Sequence, residues 1–174
     1  TWKDVITYCD ANDLSHYQVF YSPTILDDFT LLVNTNDTSY IHTLASTVAG
    51  CYYVVAVDTN NNASQPSMKV CSDINSCDLY SLPNVFTPDG DGYNDLFQPF
   101  PYDFVEKIHL LVYNRWGNLV FETQDPDINW DGTNMNSGRP VPDGVYYYLC
   151  EVYEWRLEGL TSRLLNGSIT IIRH

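Results

Sequence analysis

Residues 144–155 constrain the fold of this chain more than any other stretch. They read GVYYYLCEVYEW, an apolar and aromatic run with the length of a long β-strand. Strand alternation places Tyr146 and Cys150 on one face and Val145 and Leu149 on the other. Because both faces are apolar, we expect this segment to be the central strand of a sheet.

Other segments of the same region read as strands joined by turns. The predicted strands are residues 82–86, 107–114, 119–122 and 163–172. Residues 115–118, RWGN, form the turn of a hairpin, with Gly117 at a positive φ. We therefore predict an all-β sandwich for residues 78–174.

The first part of the chain shows short β-prone runs between turn residues, with no helical periodicity. The predicted strands are residues 16–21, 31–33, 38–43, 51–58 and 68–71. Strands at this spacing predict a second β-sandwich. Residues 72–81 contain few apolar side chains, so we place a domain boundary there and predict domains at 1–77 and 78–174.

The charge balance argues against two classes of partner. The 174 residues include 8 basic and 22 acidic side chains, a net charge of −14. Nucleic acid and anionic membranes are bound through basic patches, so we expect no nucleic acid partner and no direct membrane insertion. The chain starts with neither an initiator Met nor a signal peptide, and we expect it to be the C-terminal piece of a longer protein.

A loop at residues 82–97, LPNVFTPDGDGYNDLF, combines acidic side chains with Gly and Pro, and we call it the signature loop. Asp89, Asp91 and Asp95, with the backbone carbonyl of Tyr93, offer oxygen ligands of the kind that Ca²⁺ prefers. The alternative is a structural turn in which the carboxylates accept hydrogen bonds from backbone N–H groups. Calcium is the one cofactor that the sequence suggests.

The cysteines indicate an oxidising setting outside the cytoplasm. The chain has five: Cys9, Cys51, Cys71, Cys77 and Cys150. They form no CxxC pair and no His lies near them in sequence, which argues against zinc. The odd number leaves at least one thiol free or paired outside this chain, and buried free thiols are the alternative to disulfides.

Catalytic motifs are not evident. The four histidines, His16, His42, His109 and His174, are scattered along the chain. The sequence contains neither GxSxG nor HExxH, and GDG at residues 90–92 has no phosphate-binding context. We therefore expect a protein that is not an enzyme.

Five motifs follow one another in the second region: the signature loop, VYNRWGNLVFET, WDGT, PDGVYYY and GSITIIR. In this order they resemble the gliding-motility-associated C-terminal domain of Bacteroidetes, the type B sorting domain of the type IX secretion system. Asp89 departs from the family, which most often has Asn there. The matched positions are Asn84, Pro88, Gly90, Asp91, Gly92, Asn94, Asp95, Arg115, Trp116, Gly117, Trp130, Asp131, Gly132, Gly144 and Tyr146.

The resemblance implies protein export. Such a domain folds in the periplasm, is recognised by the translocon, its shuttle proteins and an outer-membrane β-barrel partner, and carries upstream cargo to the cell surface. It implies that the chain ends a large surface protein, an adhesin linked to gliding. The alternative is a calcium-dependent adhesin or carbohydrate-binding module at the end of such a protein.

The first region resembles a fibronectin type III-like domain, because an early Trp2 is followed by YYVVAVDTNNNASQPS, similar to that family's last hairpin. In such a hairpin Cys51 and Cys71 lie side by side on antiparallel strands, so this resemblance favours a Cys51–Cys71 disulfide. The predicted fold is thus all-β, with two consecutive Ig-like or fibronectin III-like β-sandwich domains.

Each matched position has two interpretations: a structural role in the fold, or recognition of a partner. Arg115 and Trp116 are either an exposed recognition tip or a pair in which Trp116 packs across the hairpin and Arg115 stacks on an aromatic ring. Asp131 is expected to fix a turn. Residues 146–148, YYY, are expected in the sheet and core, with sugar stacking as the role of any exposed ring.

Overall fold

The computed structural model describes residues 1–2, 13–43, 47, 49–73 and 80–173. The chain divides into two compact units, Thr1–Asn75 with Arg156–Gly159, and Ser76–Trp155 with Leu160–His174. The predicted boundary between residues 77 and 78 lies outside the described residues. The described ranges contain strands, turns and no helix, so the prediction of an all-β fold is confirmed. No helix that could span a membrane was found among them.

The first unit is built on a four-stranded antiparallel sheet. Its strands are β1 (Leu14–Ser22), β2 (Thr30–Thr35), β3 (Gly50–Asp58) and β4 (Val70–Ser72), in the order β2-β1-β3-β4. The predicted strand at residues 38–43 is wrong. After β2 the Asp37 N–H donates to Thr35 Oγ1 at 3.1 Å, which turns the chain. Tyr40 and His42 then pack their rings against each other and pair with no strand.

A disulfide joins β3 to β4 in this unit. The strand register places Cys51 opposite Cys71, and their sulfur atoms are bonded at 2.03 Å. This is the pair that the fibronectin-like resemblance favoured. Cys150 is a buried free thiol, and Cys9 and Cys77 lie outside the described residues.

The second unit is built on a five-stranded sheet. Its strands are β5 (Val85–Phe86), β6 (Val105–Tyr113), β7 (Leu119–Thr123), β8 (Gly144–Arg156) and β9 (Gly159–Ile171). They lie in the order β5-β9-β8-β6-β7, with β5 parallel to β9. The central position predicted for β8 is confirmed, because it lies between β9 and β6.

The two faces of β8 differ in burial, which the apolar pattern alone did not predict. Tyr146, Cys150 and Val152 are buried, whereas Val145 and Tyr147 are exposed on the opposite face. Among the described residues, the connections that cover the buried face form isolated bridges. The core side chains that these connections supply are Tyr80, Phe97, Ile128, Trp130 and Val141.

Candidate functional site

The signature loop leaves the sheet at β5 and returns to the core at Phe97. Near the start of the loop, the carbonyl of Asn84 accepts a hydrogen bond from Thr170 N at 2.8 Å, which attaches this end of the loop to β9. Gly90 and Gly92 have φ values of 85° and 89°, a region that favours glycine. The loop is closed by Thr87 N, which donates to the carbonyl of Asn94 at 2.9 Å.

The carboxylates of this loop cap its own backbone. Asp95 accepts from Gly90 N at 2.6 Å and from Gly92 N at 2.8 Å. Asp91 Oδ1 accepts from Tyr93 N at 2.7 Å. The N–H groups of Gly90 and Gly92 hold the pKa of Asp95 below its usual range, because they stabilise the charged form. The turn-capping hydrogen bonds, one of the two interpretations that the sequence left open, are therefore present.

The same three carboxylates also form the group that could hold a metal ion. One oxygen each from Asp89, Asp91 and Asp95 lies within 4.8 Å of the others. The carbonyl of Tyr93, the fourth predicted ligand, accepts a hydrogen bond from Thr87 Oγ1 at 3.3 Å. These carboxylates are grouped while they also accept the turn hydrogen bonds, and the calcium site stays a prediction.

Trp130 anchors the WDGT motif in the core. Its ring is buried, and its Nε1–H donates to the carbonyl of Thr133 at 2.8 Å. Asp131 accepts from Thr133 N at 2.8 Å and so occupies the turn-fixing position expected of it. The Trp130 ring lies 5.4 Å from that of Phe86 and 6.5 Å from that of Phe97. The signature loop and the WDGT motif therefore share one aromatic core.

Arg115 and Trp116 form an exposed tip at the β6–β7 turn. Trp116 is 69% exposed, and the Arg115 guanidinium carbon lies 4.2 Å from the centre of its ring. Asn114 Oδ1 accepts from Trp116 N at 3.0 Å, which fixes the turn, and Gly117 has the expected positive φ of 80°. The Arg–Trp stack is present, but Trp116 does not pack across the hairpin. The turn leaves Trp116 exposed to solvent.

Arg173 joins three motifs, and the sequence reading did not single it out. Its Nη1 donates to Asp143 Oδ1 at 2.7 Å and to the carbonyl of Val141 at 2.9 Å. Its Nη2 reaches the carbonyl of Gly132 at 3.5 Å. A Cβ added to Gly132 would meet this Nη2 at 2.8 Å and Pro88 at 3.2 Å, and the φ of 77° at Gly132 lies in the region that favours glycine. A lone cation directly after the last strand was the signal available in the sequence.

Gly144 and Tyr146 complete the PDGVYYY motif. Gly144 starts β8 with a φ of 141°, and the Tyr146 hydroxyl donates to the carbonyl of Pro142 at 2.7 Å. Tyr146 is buried against the core, as expected, whereas Tyr147 is exposed. The matched positions thus divide into core and turn residues, with the exposed Arg–Trp tip and the acidic loop as the surface features.

The second unit, which contains the five motifs, is an all-β domain whose loops pack against one core. Residues 80–170 match the family model of the CHU_C type IX secretion signal domain. The chain belongs to this family. Membership places the domain in protein export through the type IX machinery, to the cell surface or the extracellular space.

Solved structures that are similar to this chain share little sequence identity with it. No curated protein matches the sequence significantly. A tetra-tandem repeat from the extending region of a large adhesion protein is similar at 12% identity and a TM-score of 0.37, over 92% of this chain and 42% of that one. The FN1–FN3 domains of chicken CNTN1 are similar at 13% identity and a TM-score of 0.32, over 95% of this chain and 59% of that one. The chain therefore spans less than two thirds of either structure, and neither likeness carries a functional argument.

Proposed function

We propose that this chain is the C-terminal targeting end of a large surface adhesin, which it directs through the type IX secretion system of a gliding Bacteroidetes bacterium. The observation that carries the proposal is the family match over residues 80–170. The folded unit supports it, because Trp130 and Arg173 bind the motifs into one body with exposed loops.

The domain acts by recognition and without catalysis. Shuttle proteins and an outer-membrane β-barrel partner bind the folded surface, and the cargo follows it across the outer membrane. The exposed tip at Arg115 and Trp116 and the acidic signature loop are surface features of the kind that a partner contacts, because aromatic and Arg side chains dominate binding energy at interfaces.

A reporter experiment tests this function. The whole chain is fused to the C-terminus of a fluorescent protein and produced in a type IX-secreting bacterium and in an isogenic strain without the translocon. We expect surface or extracellular fluorescence only in the first strain. Retention of the fusion in the periplasm of the first strain would contradict the proposal.

A calcium-dependent surface module is the second candidate, favoured by the grouping of Asp89, Asp91 and Asp95 within 4.8 Å. Ca²⁺ bound there offsets the mutual repulsion of the carboxylates and raises the melting temperature. The test compares melting with Ca²⁺ and with a chelator, for the unaltered chain and for Asp91→Asn. An identical melting temperature in both conditions would eliminate this candidate.

A further inference from the structure

We propose that a groove between β5 and residues 94–100 is the surface through which the secretion machinery holds this domain. The occupant that fits is an extended partner segment with an apolar side chain beside a Lys or Arg. This inference rests on the proposed export function and adds the site and the chemistry of its partner.

Two chain segments form the walls of the groove and are joined at both ends. At one end Thr87 N donates to the carbonyl of Asn94 at 2.9 Å, and at the other Phe100 N donates to the carbonyl of Ser81 at 2.8 Å. Between these bonds the walls separate and leave a cavity of about 670 Å³ that is open to solvent. These bonds hold the groove open as part of the fold.

The edge of β5 supplies main-chain groups to this groove. The carbonyl of Asn84 accepts from Thr170 N of β9 and that of Phe86 accepts from Ile172 N directly after β9, whereas Ser81 and Thr87 bond toward the opposite wall. Because peptide groups alternate along a strand, the N–H and C=O of Val85 point toward the groove. An extended segment can therefore bond to this edge.

Exposed apolar side chains line the same groove. Val85 is 45% exposed, Leu96 is 39% exposed and Phe100 is 86% exposed. Three such side chains around one concavity are unusual, because exposed apolar surface is generally scattered unless it serves an interaction. The bond of Phe100 N to Ser81 fixes the backbone that carries the most exposed of them.

The charge at one end of the groove specifies the partner's polar group. Asp95 lines the groove, and Asp89 and Asp91 lie within 4.8 Å of it. Among the described residues, no Lys, Arg or His side chain forms an ion pair with these three carboxylates. A basic side chain of the partner supplies the missing cation, and complementary charge also steers the encounter.

The test uses the fluorescent fusion of the whole chain in the two strains described above. Phe100→Ala and Leu96→Glu alter the groove, and Asp91→Asn removes a charge while keeping an oxygen that can cap Tyr93 N. Tyr147→Ala and Leu164→Glu are the matched controls, since both side chains are exposed away from the groove. Melting temperatures of the purified chains report on folding.

We expect the groove variants to lower translocon-dependent export at least about tenfold. A loss of about 1.4 kcal/mol of binding free energy weakens binding to the partner by this factor. The controls should be exported like the unaltered chain, and Phe100→Ala should keep its melting temperature because that ring is largely outside the core. If Leu96→Glu has a lower melting temperature than the unaltered chain, its export cannot be compared, and the export of Phe100→Ala is used instead.

Two results would overturn the inference. One is normal export of the folded Phe100→Ala variant. The other is a dimer in sedimentation of the unaltered chain that Phe100→Ala converts to a monomer, because the groove would then receive a second copy. The unaltered fusion distinguishes these results from a failure of the proposed function. If the unaltered fusion is exported, the proposed function holds, and only the role of the groove is overturned. If the unaltered fusion is not exported, the proposed function itself fails.

Discussion

Arg163 on β9 and Glu154 on β8 form an ion pair in which the carboxylate is buried. Arg163 Nη2 lies 3.0 Å from Glu154 Oε1 and also donates to the carbonyl of Tyr80 at 2.9 Å. Arg163→Met removes a cation from a buried carboxylate, and we expect it to lower the free energy of unfolding by about 3 kcal/mol. Urea unfolding measures the change, with the exposed Arg139→Met as control. Equal stability of the two variants would contradict the stabilising role of this pair.

Trp116 and Trp130 of the second unit are expected to differ in how much their truncation destabilises the fold. Trp130→Ala removes a buried ring from the aromatic core and should cost about 3–5 kcal/mol of stability. Trp116→Ala removes an exposed ring and should change stability by no more than about 0.5 kcal/mol. Chemical unfolding of both variants tests this difference, and a large loss for Trp116→Ala would refute the exposed position of the tip.

Acidification should loosen the signature loop. The pKa of Asp95 is lowered by hydrogen bonds from Gly90 and Gly92, so the folded state binds its proton less readily than the unfolded state does. Its stabilising effect is therefore present above the unfolded pKa and is lost as pH falls through the folded value. NMR titration of the Asp95 carboxyl should give a midpoint below that of Asp95 in an unfolded peptide, and an equal or higher midpoint would show that the turn bonds are absent.

The disulfide should stabilise the first unit. Cys51 and Cys71 are separated by 20 positions, and closing a loop of this size restricts the unfolded chain by about 3 kcal/mol. Cys51→Ser with Cys71→Ser should therefore lower the melting temperature of this unit. Cys150→Ser is the control, because that thiol forms no disulfide. Reducing agent should lower the melting temperature of this unit more in the unaltered chain than in the double variant.

Cys150 should resist modification while the second unit is folded. Burial raises the pKa of its thiol to about 12, which leaves very little reactive thiolate at neutral pH. Mass spectrometry should find Cys150 unmodified by iodoacetamide in the native chain and alkylated after denaturation. Rapid labelling of the native chain at this position would show that the β8 face is open.

The period of two along β8 was enough to predict a strand, because side-chain alternation is a local property of the backbone. Its central position was predicted from the apolar side chains on both of its faces. The turn at Gly117 was equally predictable, since its φ of 80° depends on residue type. The strand predicted at residues 38–43 failed because hydrogen-bonding partners, and not β propensity, decide whether such a run joins a sheet.

Residue patterns along the chain were sufficient to identify most of the strands, the tight turns and, through the order of five motifs, the family of the second unit. Which side chains of those motifs are exposed and which are buried depends on the folded chain. The tertiary structure places Trp130 in the core, Trp116 in solvent and Arg173 against Asp143, a residue 30 positions earlier in the chain. Burial and ion pairing depend on which segments, distant in sequence, are in contact in the fold. Local periodicity contains no information about these contacts.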